Sequence, residues 1–218
     1  MKKSVKIISS LLALTACFAF LSCNTDKGTE KEDEDKGMTE VKSADELLFA
    51  DGTYDIVSIE KVTGEISSNN SSITTSFTST EYSEMTVSGE TCTITDKYTK
   101  SVYDNKDIYE TFKNLYSNPD VSVDGTMSYD DKNLTITQTK TGSSSEKTLA
   151  KIKAEFFPEG TEYDTTKTEI VDSVAKQTSD GSKLKYSYTI KNYERTDKNS
   201  EWVYSNSDQT CTRTYTKK

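Results

Sequence analysis

The sequence predicts a mainly β domain of antiparallel strands, closed as an up-and-down β-barrel or, alternatively, stacked as a β-sandwich. Short runs that alternate apolar and polar residues recur from residue 53 onward, as expected for strands with one buried face. Turn signals such as Asp180-Gly181 separate neighbouring runs, which is typical of hairpins. The chain contains 13 Tyr and many Thr, which favour strands. Both architectures limit the unpaired strand edges that such a domain exposes. The spacing of the strands along the sequence does not decide between the two architectures.

The N-terminal residues have the layout of a bacterial export signal. Three lysines lie among the first six residues, and the stretch from Ile7 to Leu21 carries no charge. This apolar stretch is about fifteen residues long, which is shorter than the roughly twenty needed to span a bilayer as a helix. We therefore expect residues 1–22 to be a cleaved signal peptide and not a transmembrane segment.

A cysteine at the cleavage point resembles the signal of bacterial lipoproteins. The matching residues are Phe20-Leu21-Ser22-Cys23, and the resemblance implies acyl chains on Cys23. Cys17, in Leu14-Thr15-Ala16-Cys17, is the alternative, but cleavage there would leave Phe18-Ala19-Phe20-Leu21 at the mature N-terminus, beside headgroups and water. We favour Cys23. The remaining alternative is a plain secretory signal with incidental cysteines.

The lipoprotein resemblance implies a location and a membrane partner. Each buried CH₂ contributes about 0.8 kcal/mol, so the two or three acyl chains of such a cysteine form a durable anchor. We expect the mature chain to lie outside the cytoplasm, held in the cell envelope, with the outer membrane or the cell surface favoured.

The composition argues against several classes of function. Removing residues 1–22 changes the formal net charge from -9 to -12, because that segment holds three lysines and no acids. A nucleic-acid partner is not expected, since phosphate binding needs a clustered basic face. The absence of histidine removes Ser-His-Asp and Cys-His nucleophile systems and the commonest transition-metal ligand. We expect no cofactor, no metal and no enzymatic activity.

Residues 23–42 are predicted to be an acidic, disordered tether. The segment alternates lysines with clustered acids such as Glu32-Asp33-Glu34-Asp35 and contains almost nothing apolar. Placed between the lipid and the domain, it would hold the domain off the membrane surface. The β domain itself is expected to occupy residues 43–218.

Two short helices are predicted within the domain. Ser43 and Glu46 form a capping-box pattern just before the first strand, which begins at Thr53. The second helix is predicted near residues 107–116, where apolar residues have helical spacing before Pro119. The later strands are expected at the alternating runs, which are Ile73 to Phe77, Met85 to Val87, Cys92 to Tyr98, Leu134 to Ile136, Leu184 to Ile190 and Trp202 to Tyr204.

Cys92 and Cys211 are candidates for one disulfide. They lie in matching Thr-Cys-Thr contexts, each within a strand-like run. An oxidising compartment would permit the bond, whereas two cysteines are too few for a four-thiolate zinc site. Sequence does not supply the geometry that decides whether the bond forms.

Three short stretches resemble bacterial lipocalin-like domains. They are Gly52-Thr53-Tyr54-Asp55-Ile56-Val57-Ser58-Ile59-Glu60, the hairpin Gly125-Thr126-Met127-Ser128-Tyr129 with Asn133-Leu134-Thr135-Ile136-Thr137, and the closing Thr212-Arg213-Thr214-Tyr215. Tyr54 stands where that family normally has Trp. The resemblance implies a closed barrel in which Arg213 packs over Tyr54.

The large side chains in the strands support two alternative functions. Pointing inward, they would line an interior suited to a small apolar or amphipathic ligand, in an enclosed void on the order of a few hundred Å³. The candidate lining residues are Tyr54, Phe77, Met85, Tyr98, Tyr129, Tyr186, Tyr188, Trp202 and Tyr204. These side chains could instead simply fill the core. The alternative function is a surface interaction protein that displays loops to a host or envelope protein and has no ligand cavity.

Overall fold

The computed structural model describes residues 35–68, 71–103, 125–129, 133–140 and 144–218. Ten strands and two short helices lie in these ranges. In chain order the elements are β1 (Met38–Val41), a 3-10 helix (Ala44–Glu46), β2 (Gly52–Ser68), β3 (Ser71–Ser88), β4 (Thr91–Tyr103), β5 (Gly125–Tyr129), β6 (Leu134–Thr139), β7 (Ser144–Thr148), α1 (Leu149–Ala154), β8 (Thr166–Thr178), β9 (Lys183–Glu194) and β10 (Val203–Lys217).

The ten strands form one antiparallel sheet, which confirms the predicted mainly β class. The strand order is β1-β8-β9-β10-β2-β3-β4-β6-β5, and β7 pairs with β4. The first half of β4 pairs with β7 and the second half with β6. Within the described ranges the sheet is open, because the edge strands β1 and β5 do not pair with each other. An open sheet or a sandwich fits this arrangement, whereas a closed barrel is not seen.

One face of the sheet carries most of the buried side chains, and we call it the inner face. On β2 the buried residues are Tyr54, Ile56, Ser58 and Glu60, which recur at every second position. This spacing follows from the pleat, which turns successive side chains to opposite faces. The alternation that predicts β2 in the sequence therefore also identifies its buried side.

The apolar side chains of the inner face form a main core and a smaller cluster. The main core includes residues from β2, β3, β4, β8, β9 and β10, and Ile152 of α1 and Phe156 just beyond it pack against them. The smaller cluster joins β3, β4, β5 and β6 around Leu134 and Ile136. Helix α1 is thus a cover over part of the inner face, held there because its own apolar side is buried against the sheet.

Strand β8 contains a bulge that divides it into two parts. The pairing with β9 shifts between Val171 and Val174. Asp172 has a φ of 54°, which is uncommon for a residue other than glycine. β1 pairs only with the part that follows the bulge, from Ala175 to Thr178.

The predicted helix before β2 is present as the 3-10 helix Ala44–Glu46. Its capping contacts differ from a standard box: Ser43 Oγ donates to Glu46 Oε1 (3.3 Å), and the Lys42 amide donates to Glu46 Oε2 (3.0 Å). The Glu46 carboxylate therefore accepts hydrogen bonds from the two residues that precede the helix.

A strand and an ion-paired residue precede the predicted domain boundary at residue 43. β1 lies inside the range 23–42 that was predicted as a disordered tether. Val41 is 3 % exposed and belongs to the main core, and Asp35 forms ion pairs with Lys176 and Lys185. Pairing with β8 and burial of Val41 order a segment whose composition alone suggests disorder.

Several sequence predictions concern residues outside the described ranges. They are the signal peptide 1–22, Cys17 and Cys23, the tether up to residue 34, and the helix near 107–116. In the ranges that the structure describes, no helix combines the length and apolar character that crossing a membrane requires.

Candidate functional site

Four of the predicted lining residues are packed into the main core. Tyr54, Met85, Tyr186 and Tyr188 are all at most 2 % exposed. The Phe156 ring lies 4.6 Å from that of Tyr186, and the Tyr186 and Tyr188 rings stack at 5.9 Å. These side chains fill space against one another, as protein interiors generally do.

Tyr54 is held in place by its hydroxyl as well as by its ring. The Tyr54 hydroxyl accepts from the Ala50 amide (2.9 Å) and donates to the Ala50 carbonyl (3.0 Å). Burial raises the pKa of Tyr54, so the phenol is neutral at physiological pH. Its polar atom is therefore occupied by the chain that leads into β2.

Phe77 and Tyr129 pack against the smaller cluster. The Phe77 and Tyr103 rings lie 4.6 Å apart. Both predicted residues are only partly buried, so they lie at the margin of the inner face.

Tyr98, predicted to point inward, is on the opposite face. The register between β3 and β4 shifts at Tyr82 and Ser83, which leaves Lys97 as an extra residue in β4. A one-residue bulge moves every following side chain to the other face. Consequently Cys92 and Tyr103 are buried, whereas Tyr98 is 37 % exposed and stacks on Tyr82 with ring centroids 4.2 Å apart.

Trp202 and Tyr204 also lie outside the core. Arg195 covers the Trp202 ring, with its guanidinium carbon 4.0 Å from the ring centroid. Tyr204 is 36 % exposed and packs on Tyr193 at 5.7 Å. Its hydroxyl donates to Asp208 Oδ1 (2.5 Å), and this bond is the main cause that raises the pKa of Tyr204 to about 12.

Arg213 does not pack over Tyr54. It pairs with Ser58 across the β2–β10 ladder, whereas Tyr54 pairs with Lys217 near the end of the strand. The Arg213 Nε donates to Ser58 Oγ (2.6 Å), its Nη1 donates to Glu155 Oε2 (2.7 Å), and its guanidinium lies over the Tyr186 ring (5.8 Å). The register of the strands thus gives Arg213 a different aromatic partner from the expected one.

The surroundings of Arg213 keep it charged. Burial acts to lower its pKa, but Tyr186, Tyr215 and Glu155 together raise the pKa well above the usual value. Arg213 therefore links the end of α1 to the sheet through the Glu155 carboxylate.

The disulfide that the sequence left open is not formed in the structure, since Cys92 and Cys211 are both free and buried. β2 and β3 separate their strands, which places them about 14 Å apart across a sheet at roughly 4.8 Å per strand. Cys211 is level with Glu60, and Cys92 pairs with Val87, which is level with Gly52. That adds about 26 Å along the strands. A disulfide requires Cα atoms within about 7 Å, so the two thiols cannot meet.

A row of buried polar side chains crosses the inner face, and sequence analysis missed it. This polar row consists of Ser58, Glu60, Ser79 and Gln209. Glu60 is 1 % exposed and accepts a hydrogen bond from Gln209 Nε2. Burial, with smaller effects from Cys211 and Glu81, raises the pKa of Glu60 to about 9, so the carboxyl is neutral near pH 7. The signal was present: Glu60 continues the two-residue alternation of Tyr54, Ile56 and Ser58.

An open groove of about 560 Å³ lies beside the first part of β8. Two segments line it, which are residues 158–162 and the β8 residues 167–171. None of the predicted site residues contributes to it. The groove therefore is a feature that only the tertiary structure shows.

Comparisons with protein-family models, with curated proteins and with solved structures found no match. In the described part of the chain, no group of three or more Cys, Asp or Glu side chains could hold a metal ion.

Proposed function

We propose that this protein is a non-enzymatic lipoprotein of the bacterial envelope, anchored outside the cytoplasm through acyl chains on Cys23, whose β domain binds a partner protein through its surface. The observation that carries the interaction function is the packing of the inner face. Tyr54, Met85, Tyr186 and Tyr188 occupy the core in which a ligand would have to lie. With these side chains filling that space, the outer surfaces and loops are the better candidates for binding.

The path of the chain supports an arrangement in which one end of the domain faces the membrane. Met38 pairs with Thr178, beside the turn that joins β8 to β9. Asp35 is fixed nearby through Lys176 Nζ (2.7 Å) and Lys185 Nζ (2.8 Å). A tether that ends at Asp35 would therefore join the domain at this end. The loop between β9 and β10 and the segment leading into β8 lie at the opposite end, where a partner in front of the membrane can reach them.

Metabolic labelling with palmitate tests the anchor. The full chain should incorporate the label, the Cys17→Ser variant should retain it, and the Cys23→Ser variant should lose it. Label that persists in Cys23→Ser but disappears in Cys17→Ser would move the anchor to Cys17. A chain that never incorporates label would overturn the proposed attachment.

A small ligand is the second candidate, and the polar row is the observation that favours it. A neutral carboxyl and two hydroxyls lie between the main core and the smaller cluster, as an amphipathic molecule would require. This candidate also requires the sheet to curl into a lipocalin-like barrel, so that its edges enclose the inner face. Native mass spectrometry of the full chain in detergent tests it: a co-purified small molecule would favour this candidate over the interaction function.

A further inference from the structure

Part of β8, beside the groove, has an edge that no strand of the described ranges covers. On one side β8 pairs with β9 along most of its length, and on the other side β1 covers only residues 175–178. No described strand pairs with Glu169 to Val174 on that second side. The bulge at Asp172 lies in this gap. An uncovered strand edge presents backbone donors and acceptors that another extended chain can bind.

The segment 158–162 forms the far wall of the groove and is bonded to β8 at one end. The Thr168 amide donates to the Thr161 carbonyl (2.8 Å), and Glu162 forms an isolated bridge with Lys167. At Gly160 an added Cβ would lie 2.3 Å from the Thr168 carbonyl oxygen, so only glycine permits this approach. The wall is thus built by specific backbone contacts.

The contact at Thr168 shows which way the β8 backbone points. Because the Thr168 amide bonds to Thr161, it is directed away from β9. In an antiparallel ladder these directions alternate, so the amide and carbonyl of Ile170 are directed to the same side. Ile170 lines the groove, and its backbone groups therefore face into it.

Charges around the groove indicate what kind of chain would bind. Glu159, Glu162 and Asp172 are exposed there, and Glu169 is paired with Lys167 at 2.6 Å. Glu162 also lies 3.9 Å from Arg195. The groove and its edge therefore carry four acidic residues against Lys167 and Arg195, and this excess of negative charge favours a basic segment. The acidic residues that precede Asp35 in this chain would be repelled.

We propose that the groove binds an extended, basic peptide segment of a partner protein, which adds to the free edge of β8 as a short extra strand. Backbone hydrogen bonds to the amide and carbonyl of Ile170 supply the binding, and the acidic rim selects basic side chains. The inference rests on the proposed interaction function and names the class of partner. The bound segment would lie in line with β1, because both occupy the same side of β8.

Two peptides test the strand-addition geometry. The probe is a fluorescent six-residue peptide that alternates lysine with threonine or valine, titrated against the full chain in detergent. Its partner has the same sequence with N-methyl groups on alternate amides, which keep the charge and remove the hydrogen bonds. We expect saturable binding of the first peptide and at least tenfold weaker binding of the second. Equal binding of both, or no binding of either, would overturn the proposal.

A pair of charge-reversal variants locates the site. Glu159→Lys combined with Glu162→Lys should weaken binding of the probe at least tenfold. The matched control combines Glu90→Lys with Glu146→Lys, which reverses two exposed charges outside the groove and leaves the net charge of the two variants equal. If both variants lose binding equally, net charge and not the groove is responsible, and the site is wrong.

Two further results separate this inference from the proposals it builds on. Palmitate labelling should be the same in both charge-reversal variants, so a loss of peptide binding with normal labelling concerns the groove alone. If the full chain without peptide is a dimer that only the Glu159/Glu162 variant disrupts, a second copy and not a partner peptide occupies the edge, and the proposal falls.

Discussion

Glu60 is an acidic side chain in a buried position, where acidic side chains are rarely found. It is 1 % exposed, beside Gln209 and close to Cys211 and Glu81. A charged carboxylate there would be costly, because the low-polarity surroundings solvate it poorly. The neutral carboxyl shares a hydrogen bond with the amide of Gln209, and this keeps the polar row compatible with burial.

The raised pKa of Glu60 predicts how stability depends on pH. The value rises from 4.5 in the unfolded chain to about 9 in the fold, so the folded form holds its proton where the unfolded form releases it. The stabilisation is full below pH 4.5 and is lost as the pH rises towards 9, by at most about 1.4 kcal/mol per pH unit.

The Glu60→Gln variant isolates this effect. It keeps a neutral acceptor for Gln209 and cannot ionise, so its free energy of unfolding should fall less between pH 5 and pH 9. Urea denaturation at several pH values measures both proteins. Parallel curves across that range would show that Glu60 does not titrate as a buried carboxyl.

Arg213 has a structural role that its contacts define. Its contacts to Ser58, Glu155 and Tyr186 join the sheet to the end of α1. Truncating it leaves Glu155 with the partly exposed Lys147 as its one ion-pair partner among the described residues (2.7 Å). We expect Arg213→Met to destabilise the domain by about 3 kcal/mol.

Double-mutant cycles distinguish the two possible aromatic partners. Arg213→Met and Tyr186→Leu should be coupled by about 1 kcal/mol, whereas Arg213→Met and Tyr54→Leu should be additive. Chemical denaturation of the single and double variants gives both values. A large coupling with Tyr54 and none with Tyr186 would restore the arrangement implied by the lipocalin resemblance.

At the scale of the element, irregularities in the strands determine what each face presents. The extra residue in β4 separates Cys92 and Ile94 from Tyr98, and the bulge in β8 limits the length over which β1 can pair. The alternation of apolar and polar residues is interrupted at both sites. The sequence pattern does not show, however, at which residue the strand register changes. Strand β1 illustrates the opposite effect of pairing. Its four residues have only modest strand propensity, and they form a strand because they pair with the edge of β8.

The bulge in β4 predicts contrasting effects of lysine at two tyrosines. Tyr98→Lys should change the free energy of unfolding by less than about 1 kcal/mol, because the side chain is exposed. Tyr188→Lys places a charge in the main core and should cost more than about 4 kcal/mol. Thermal or urea denaturation compares them, and a large loss in Tyr98→Lys would place Tyr98 on the inner face after all.

At the scale of the whole molecule, the described strands form one open sheet, and its main apolar core lies towards the end where β1 enters. Tyr54, Leu184 and Tyr215 meet there with Phe156, while the polar row and the smaller cluster lie further along the strands. In the same sheet, two intervening strands and eight positions of register separate the two thiols. Packing of the apolar side chains at one end therefore stabilises the sheet.

The separation of the thiols predicts that reducing agents have no effect on stability. The melting temperature of the full chain should be the same with and without reductant, and Cys92 and Cys211 should react with a maleimide only after unfolding, since both are buried. Differential scanning calorimetry and mass spectrometry measure the two properties. A melting temperature that falls on reduction would mean that a bond exists.

The sequence alone determined the antiparallel β class, the buried side of β2 and the short helix before it, because each depends on a local period or capping pattern. Tertiary structure decided which face Tyr98 occupies, which ring Arg213 covers, whether the cysteines bond and where β8 is left unpaired. These depend on register and on bulges, which are set by pairing between segments far apart in the chain. A two-residue period fixes the alternation of side chains, but only the partner strand fixes the position at which that alternation is interrupted.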